Sequence, residues 1–247
     1  MLGSALSIAG PNIILNTIIA EQLKQFADEL ENAADFTTAL NALIKRTIKN
    51  HKRIIFNGDG YSEEWEVEAE RRGLLNLKTT VDALPHFIAP KNIKLFTDHH
   101  IFTEAELHSR YEILLETYSK VINIEALTML DMVKQDIIPA ISKYIGSLSN
   151  SVIAQKSVLN NIACKAELDI VSKLSASNDA IYEKSIKLEK SLGDIKLHES
   201  DVLETAKEFR EVFYAMQNLR SDVDFAETYT SSEIWPYPTY ADLIFKI

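Results

Sequence analysis

Asp98, His99 and His100, with Glu104, Glu106 and His108 close behind, invite a metal reading. Zinc needs three or four convergent ligands, and Glu104 and His108 stand four apart, which places them on one face of a helix. The same residues also suit a solvated helix start. Glu104 complements the positive end of the helix dipole, and Asp98-His99-His100 reads as a polar loop ahead of it. The solvated start outweighs the metal site. Asn57-Gly58-Asp59-Gly60 invites a phosphate-loop reading. Such a loop needs backbone amides converging on a helix start, usually with a lysine or a longer glycine pattern. Here an aspartate sits between the glycines and would repel phosphate, so a plain turn is the better reading.

Glu112, Glu116 and Glu125, with Arg110, are carboxylates along one helical stretch. Acid–base work would need a pocket that separates their proton affinities. Their alternation with lysines and apolar residues reads more simply as a solvated or partner-facing side. Asn123 and Glu125 lie inside an apolar run and are candidates for bonds across helices or to a partner subunit. Cys164 lies among Leu159, Ile162 and Ala166 with no nearby base, so a buried structural thiol is expected rather than a nucleophile. No Walker-type loop, nucleophile elbow or HExxH pattern is present. No residue is therefore assigned as catalytic, cofactor-binding or metal-ligating.

Long helices must position these residues. Only 7 Gly and 6 Pro occur in 247 residues, which favours helices over a many-turned β fold. Pro11 suits a helix start, and residues 12–30 carry a broad apolar face that includes Ile14, Leu15, Ile18, Ile19 and Leu23. A second helix is expected over 36–51. Arg53 to Phe56 reads as a short strand, Ser62 as the cap of an acidic helix ending at Gly73, and Thr79 with Asp82 as the cap of a short helix near Pro85. Residues 91–102 read as a connector with room for one helical turn. Thr103 and Glu106 form a capping box. A helix then runs over 103–148 with a kink at Pro139, its seam made by Leu107, Tyr111, Leu114, Tyr118 and Val121. Further helices are expected over 151–192, broken at Gly193, and over 199–223, with a seam of Val202, Ala206, Phe209, Phe213 and Met216. In the tail, Trp235, Tyr237, Tyr240 and Phe245 are too apolar to leave in water and should fold back. The fold class is all-α, with at most one or two very short strands: an elongated bundle of long antiparallel helices with smaller N-terminal helices.

The totals exclude several classes. A net charge of −10 gives no basic face for nucleic acid at the level of composition, and an acidic membrane surface would repel the chain. With one cysteine there is no intrachain disulfide. The apolar start lacks a basic leader and no stretch reaches membrane-span length, so a cytoplasmic address follows by default.

Several strings resemble a known family: SIAGPNIILNTIIAEQL at 7–23, IFNGDGYSEEW at 55–65, NLKTTVDALP at 76–85, KNIKLF at 91–96, HSRYEILLETYSKVINIEALTM at 108–129 and WPYPTYADLIF at 235–245. They are similar to the C-terminal region of the type III glutamine synthetases. The resemblance implies a parent enzyme that joins glutamate and ammonia using ATP with Mg²⁺ or Mn²⁺. ATP phosphorylates the γ-carboxylate and ammonia displaces the phosphate. The resemblance further implies that residues 1–30 are a terminal remnant of the catalytic core and that 31–247 are the type III-specific helical domain. An active-site arginine of the family lies just upstream of the segment matched by Gly3-Ser4, so the catalytic and metal-binding residues are expected outside this chain. The parent assembles as two stacked hexameric rings, which makes other glutamine synthetase subunits the expected partners in a homo-oligomer. The expected role is a structural or assembly part that is inactive alone. A free-standing helical interaction module is the alternative, and a small metal- or phosphate-dependent enzyme ranks last.

Overall fold

A computed structural model describes residues 7–159, 161–195, 201–238 and 240–245. Among them there are helices and connecting turns and no strand. The helices are α1 (Ala9–Leu30), α2 (Phe36–His51), α3 (Glu63–Arg71), α4 (Thr80–Phe87), α5 (Pro90–Asp98), α6 (Glu104–Met132), α7 (Ile138–Val158), α8 (Lys165–Ile195), α9 (Val202–Tyr229) and α10 (Tyr240–Phe245). The chain divides into two compact units, Met1–Leu114 and Leu115–Ile247.

In the first unit, α1 packs on α2 and α5, and α4 packs on α5. Pro11 falls in the first turn of α1, where its missing N–H has no helical acceptor to lose. Arg46 of α2 forks onto Glu29 of α1. Phe96 of α5 is buried beside Phe87 and Phe102, and Arg110 lies 4.3 Å above the Phe102 ring. The Thr103 capping box forms as expected: the Thr103 N–H donates to Glu106 Oε2 (2.8 Å) and the Glu106 N–H to Thr103 Oγ1 (3.2 Å). The Thr79 cap also forms, accepting from the Asp82 N–H at 3.2 Å.

Residues 52–78 form a small ordered cluster in which no residue is buried. Phe56 stacks on Trp65 with ring centroids 4.4 Å apart. Arg72 ties the cluster together. Its guanidinium lies about 6 Å from both rings, donates to the carbonyls of Ile55 (2.8 Å) and Arg53 (3.2 Å), and pairs with Glu68. The expected strand at Arg53 to Phe56 is not there. Lys52–Ile54 is a single 3₁₀ turn, and the carbonyls a strand would offer a neighbour are taken by Arg72. Gly73 ends α3 in a left-handed conformation (φ +72°), with Leu74 N–H bonding to Ala69 O and Gly73 N–H to Glu70 O. Ser62 occupies the cap position of α3 but donates its hydroxyl to Asp59 O instead of capping.

In the second unit, α8 packs on both α7 and α9. The pairings fix the directions. Lys134 and Ser142 meet Glu189 and Asn178, and Ser177 and Lys184 meet the carbonyls of Asp222 and Asn218. As one partner number rises the other falls, so the neighbours are antiparallel. On α8 the buried residues Leu174, Ser177, Ile181, Ser185, Leu188, Leu192 and Ile195 recur every three or four positions. They face Ala206, Phe209, Val212, Met216 and Leu219 of α9, which also hold most of the expected α9 seam.

Several expectations are corrected here. The buried stripe of α6 is Leu107, Leu115, Ser119, Ile122, Ala126 and Leu130, whereas Leu114 and Val121 are exposed. The expected connector at 91–102 is mostly α5, begun by Pro90, which needs no donor at that position. The helix expected over 103–148 is divided by a π turn, Val133–Ile137. Ile138 N–H reaches five residues back to Val133 O, and Pro139, which has no N–H to give, follows in the first turn of α7. The helix expected over 151–192 is likewise two helices. The break falls after Val158, before a turn at Asn161, a residue type that favours turns. Gly193 interrupts nothing; α8 runs through it to Ile195, held by the buried Leu192 and Ile195 on either side. The α9 helix runs on to Tyr229. The tail folds back at Trp235, which joins the core, and at Tyr237, whose hydroxyl donates to Asp136 in the π turn at 2.8 Å. Gly3, Ser4, Glu199 and the side chains of Tyr240 and Phe245 lie outside the described residues.

Leu188 is fully buried between α8 and α9, and Leu188→Ala should destabilise the second unit by about 2–5 kcal/mol, read from urea unfolding. Burial, then the Asp136 carboxylate, pushes the Tyr237 hydroxyl up to about 12. A raised value favours the neutral form in the folded state. Its stabilisation is therefore complete below the ordinary value of 10.0 and is lost as the pH climbs toward about 12. In a Trp65→Phe background, Trp235 emission should report this alkaline loosening, and Tyr237→Phe should remove it. Arg71 first, then Arg72, holds the Glu68 carboxyl down at about 2. This contribution is present above the ordinary value of 4.5 and disappears as the pH falls through about 2. Trp65 emission in a Trp235→Phe background should follow that acid loosening, and Glu68→Gln should flatten it.

Candidate functional site

The two clusters with the look of chemistry are explained by how the backbone turns. In the 57–60 turn, the Asp59 carboxylate accepts the Tyr61 N–H (2.9 Å), and the Asp59 carbonyl accepts the Ser62 N–H (3.2 Å). Gly58 is needed for closeness: a Cβ there would stand 2.5 Å from the Phe56 ring. The turn's carboxylate and glycine are therefore used in closing the loop and seating Phe56.

His100 terminates α5. It takes the left-handed conformation (φ +53°) usually reserved for glycine, with His100 N–H bonding to Thr97 O and Ile101 N–H to Phe96 O, each at 3.0 Å. His99 turns instead toward α1 and meets Glu21 at 2.7 Å. A Gln25 amide first, then His99, holds the Glu21 carboxyl below its ordinary range. Asp98 pairs with Lys94 (2.6 Å), Glu104 approaches His108 at 4.0 Å, and Glu106 is committed to the capping box. The six residues thus serve five separate contacts, four of them local and one, His99 with Glu21, distant in sequence. Among the described residues, no group of three His, Cys, Asp or Glu converges as a metal site would require.

Glu112 and Glu125 are exposed, and Glu116 pairs with Lys120 one turn on (2.8 Å). Glu116, Lys120 and the half-buried Asn123 border a hollow of about 400 Å³ floored by Ile195, Val202 and Phe209. Cys164 is buried, as expected, in a left-handed backbone conformation (φ +46°) ahead of α8. Its thiol points to Gln155 Oε1 at 3.7 Å, and Gln155 in turn donates to Glu167 (2.9 Å), joining the end of α7 to the start of α8.

What the structure offers instead is surface. On α1 only Thr17 is buried, while Leu15, Ile18, Ile19 and Leu23 are exposed along the helix. Leu114, Val121, Ile124 and Leu127 form a second exposed row on α6. In the 52–78 cluster, Ile54, Ile55, Tyr61, Val67 and Leu75 are exposed, Tyr61 completely. Apolar area grouped in this way marks contact with something else. A period of 3.6 detects such rows but cannot say which of two rows on one helix is covered by the chain's own core. No helix among the described residues is long and apolar enough to cross a membrane.

Residues 39–156 match the family described as the glutamine synthetase C-terminal domain. A glutamine synthetase of Butyrivibrio fibrisolvens is 40% identical over 208 residues, 83% of this chain and 29% of that protein. A type-3 glutamine synthetase of Dictyostelium discoideum is 33% identical over 254 residues, 99% of this chain and 34% of that protein. A glutamine synthetase of Bacteroides fragilis is 28% identical over 252 residues, 98% of this chain and 34% of that protein. The chain spans about a third of the length of the relatives it matches. It carries a glutamine synthetase C-terminal domain and belongs with the C-terminal region of the type III glutamine synthetases.

Proposed function

We propose that this chain acts as the C-terminal structural part of a type III glutamine synthetase. It supports subunit assembly and does not itself join glutamate to ammonia. In this reading the ATP, the Mg²⁺ or Mn²⁺ and the glutamate bind to the catalytic region of the parent enzyme. The partners of the chain are glutamine synthetase subunits in the cytoplasm. The residues up to about 30 are the closing piece of the catalytic core, and 31–247 are the helical domain peculiar to the type III enzymes.

The observation that carries this is the α1 face. Leu15, Ile18, Ile19 and Leu23 are each about half exposed, so a partner that covered them would add about 1 kcal/mol apiece. In this reading the catalytic part of the parent is the partner that would cover them. A second reading, a free-standing helical interaction module, draws on the exposed side chains of the 52–78 segment.

The test is to mix the chain with the catalytic two-thirds of a type III enzyme such as the Dictyostelium discoideum relative. The expected results are a stable complex, glutamine formation from ATP, glutamate and ammonia only when the catalytic part is present, and at least a tenfold loss of affinity on Ile19→Asp, equivalent to about 1.4 kcal/mol. Glutamine formation by the chain alone would overturn the inactive role. Tight binding to unrelated partners, with none to the catalytic part, would favour the interaction module.

A further inference from the structure

The 52–78 segment carries two unsatisfied charge groups of opposite sign beside its exposed apolar side chains. Lys45 and Lys49, in the last turns of α2, and Lys52 and Arg53, in the 3₁₀ turn after it, are all exposed, and among the described residues no ion pair engages their charged groups. Arg53 is engaged only through its backbone carbonyl. Across the segment, Glu63 and Glu64 open α3, and among the described residues neither makes a direct ion pair, although Lys78 lies close enough to feel the charge of Glu63; Glu66 pairs with Lys78 and Glu68 with Arg71 and Arg72. Glu63 and Glu64 line an open hollow of about 610 Å³ together with Phe56, Val67 and the paired Arg72 and Glu68. With the Arg72 charge already paired to Glu68, carboxylates beside an aromatic ring and an aliphatic side chain suit a long cationic side chain, its stem on the apolar atoms and its head at the carboxylates.

Within one molecule the basic turn cannot use that hollow. Arg72 holds the turn's own backbone against the end of α3. The two features are nonetheless neighbours, and that is what a two-fold contact requires, because each protomer must present both halves of the contact close to the axis. The overall charge of −10 points to the same occupant. Two acidic copies repel over most of their surface, so the basic strip at Lys45 to Arg53 is where a second copy's acidic hollow is attracted.

We propose that two copies of this chain pair through residues 45–67. The Lys52-Arg53 turn of each enters the Glu63–Glu64 hollow of the other, and Ile54, Ile55 and Val67 become covered in the contact. The proposal rests on the assembly role argued above and names the surface that role uses.

The test is sedimentation velocity on the full chain and on two double charge reversals, K52E/R53E and E63K/E64K. The native chain should be a dimer that loosens with rising salt. Each variant alone should dissociate more than about tenfold more readily, because it sets like charges against each other. An equimolar mixture of the two variants should dimerise again, since the acidic turn of the first meets the basic hollow of the second and the basic turn of the second meets the acidic hollow of the first. Circular dichroism and Trp65 emission check that each variant keeps its fold. If E63K/E64K disturbs the start of α3, E63Q/E64Q replaces it, with a smaller loss of pairing expected. A dimer indifferent to both reversals, or a mixture that fails to recover pairing, overturns this surface while leaving the assembly role standing. A native chain that stays monomeric overturns this surface too, and binding to the catalytic part of the parent then decides the assembly role separately.

Discussion

A helix can place only one arc of its circumference against a given neighbour, and each residue advances the surface by about 100°. The α6 helix carries apolar side chains over a wider arc than its own neighbours cover. Leu115, Ser119, Ile122, Ala126 and Leu130 are buried, while Leu114, Val121, Ile124 and Leu127, one to three positions away, meet solvent. The same limit governs α1, where Thr17 is the one buried residue on a helix rich in isoleucine and leucine. Chain-internal packing is dense where α8 lies between α7 and α9 and sparse toward the N-terminal helices. The proposed assembly role draws on the faces left over after folding.

The legible parts of the fold were those written in local chemistry. The Thr103–Glu106 box, the Thr79 cap and the Gly73 terminator each need only residues within a turn of one another, and all three form as their types predict. The α2 helix spans the expected residues for the same reason. What could not be read locally was which arc faces inward. Leu114 and Val121 fit the 3.6-residue period as well as Leu115 and Ile122 do, and only tertiary packing decides between them. The π turn was visible as a proline signal but not as a change of hydrogen-bond register, which depends on Ile138 finding Val133.

Residues with the types of a chemical site often turn out to be punctuation, and the reason is physical. Histidine and aspartate tolerate unusual backbone angles or bond to it locally, so they collect where helices end and loops close. His100 serves as the left-handed residue after α5, and Asp59 closes the loop before α3. His99 and Glu21 are the exception in being distant in sequence. Their contact at 2.7 Å joins α1 to α5, which helps fix α1 to the rest of its unit while its apolar side stays open.

The 52–78 segment shows how such a surface can be kept ready at low cost. Ordering a flexible loop at the moment of binding would subtract from affinity, whereas a segment already held in shape forfeits little. Here Arg72 supplies the shape: one guanidinium joins two carbonyls, one carboxylate and two aromatic rings. Lysine could not replace it, because an ammonium lacks the planar fork that reaches the carbonyls of Arg53 and Ile55 while pairing with Glu68. The residues Arg72 does not engage, namely the Lys52 and Arg53 side chains and the Glu63 and Glu64 carboxylates, keep their charge available. A segment with no buried residue that is still this well cross-tied owes its shape to these polar and aromatic ties, and that fixed shape is what the proposed pairing would use.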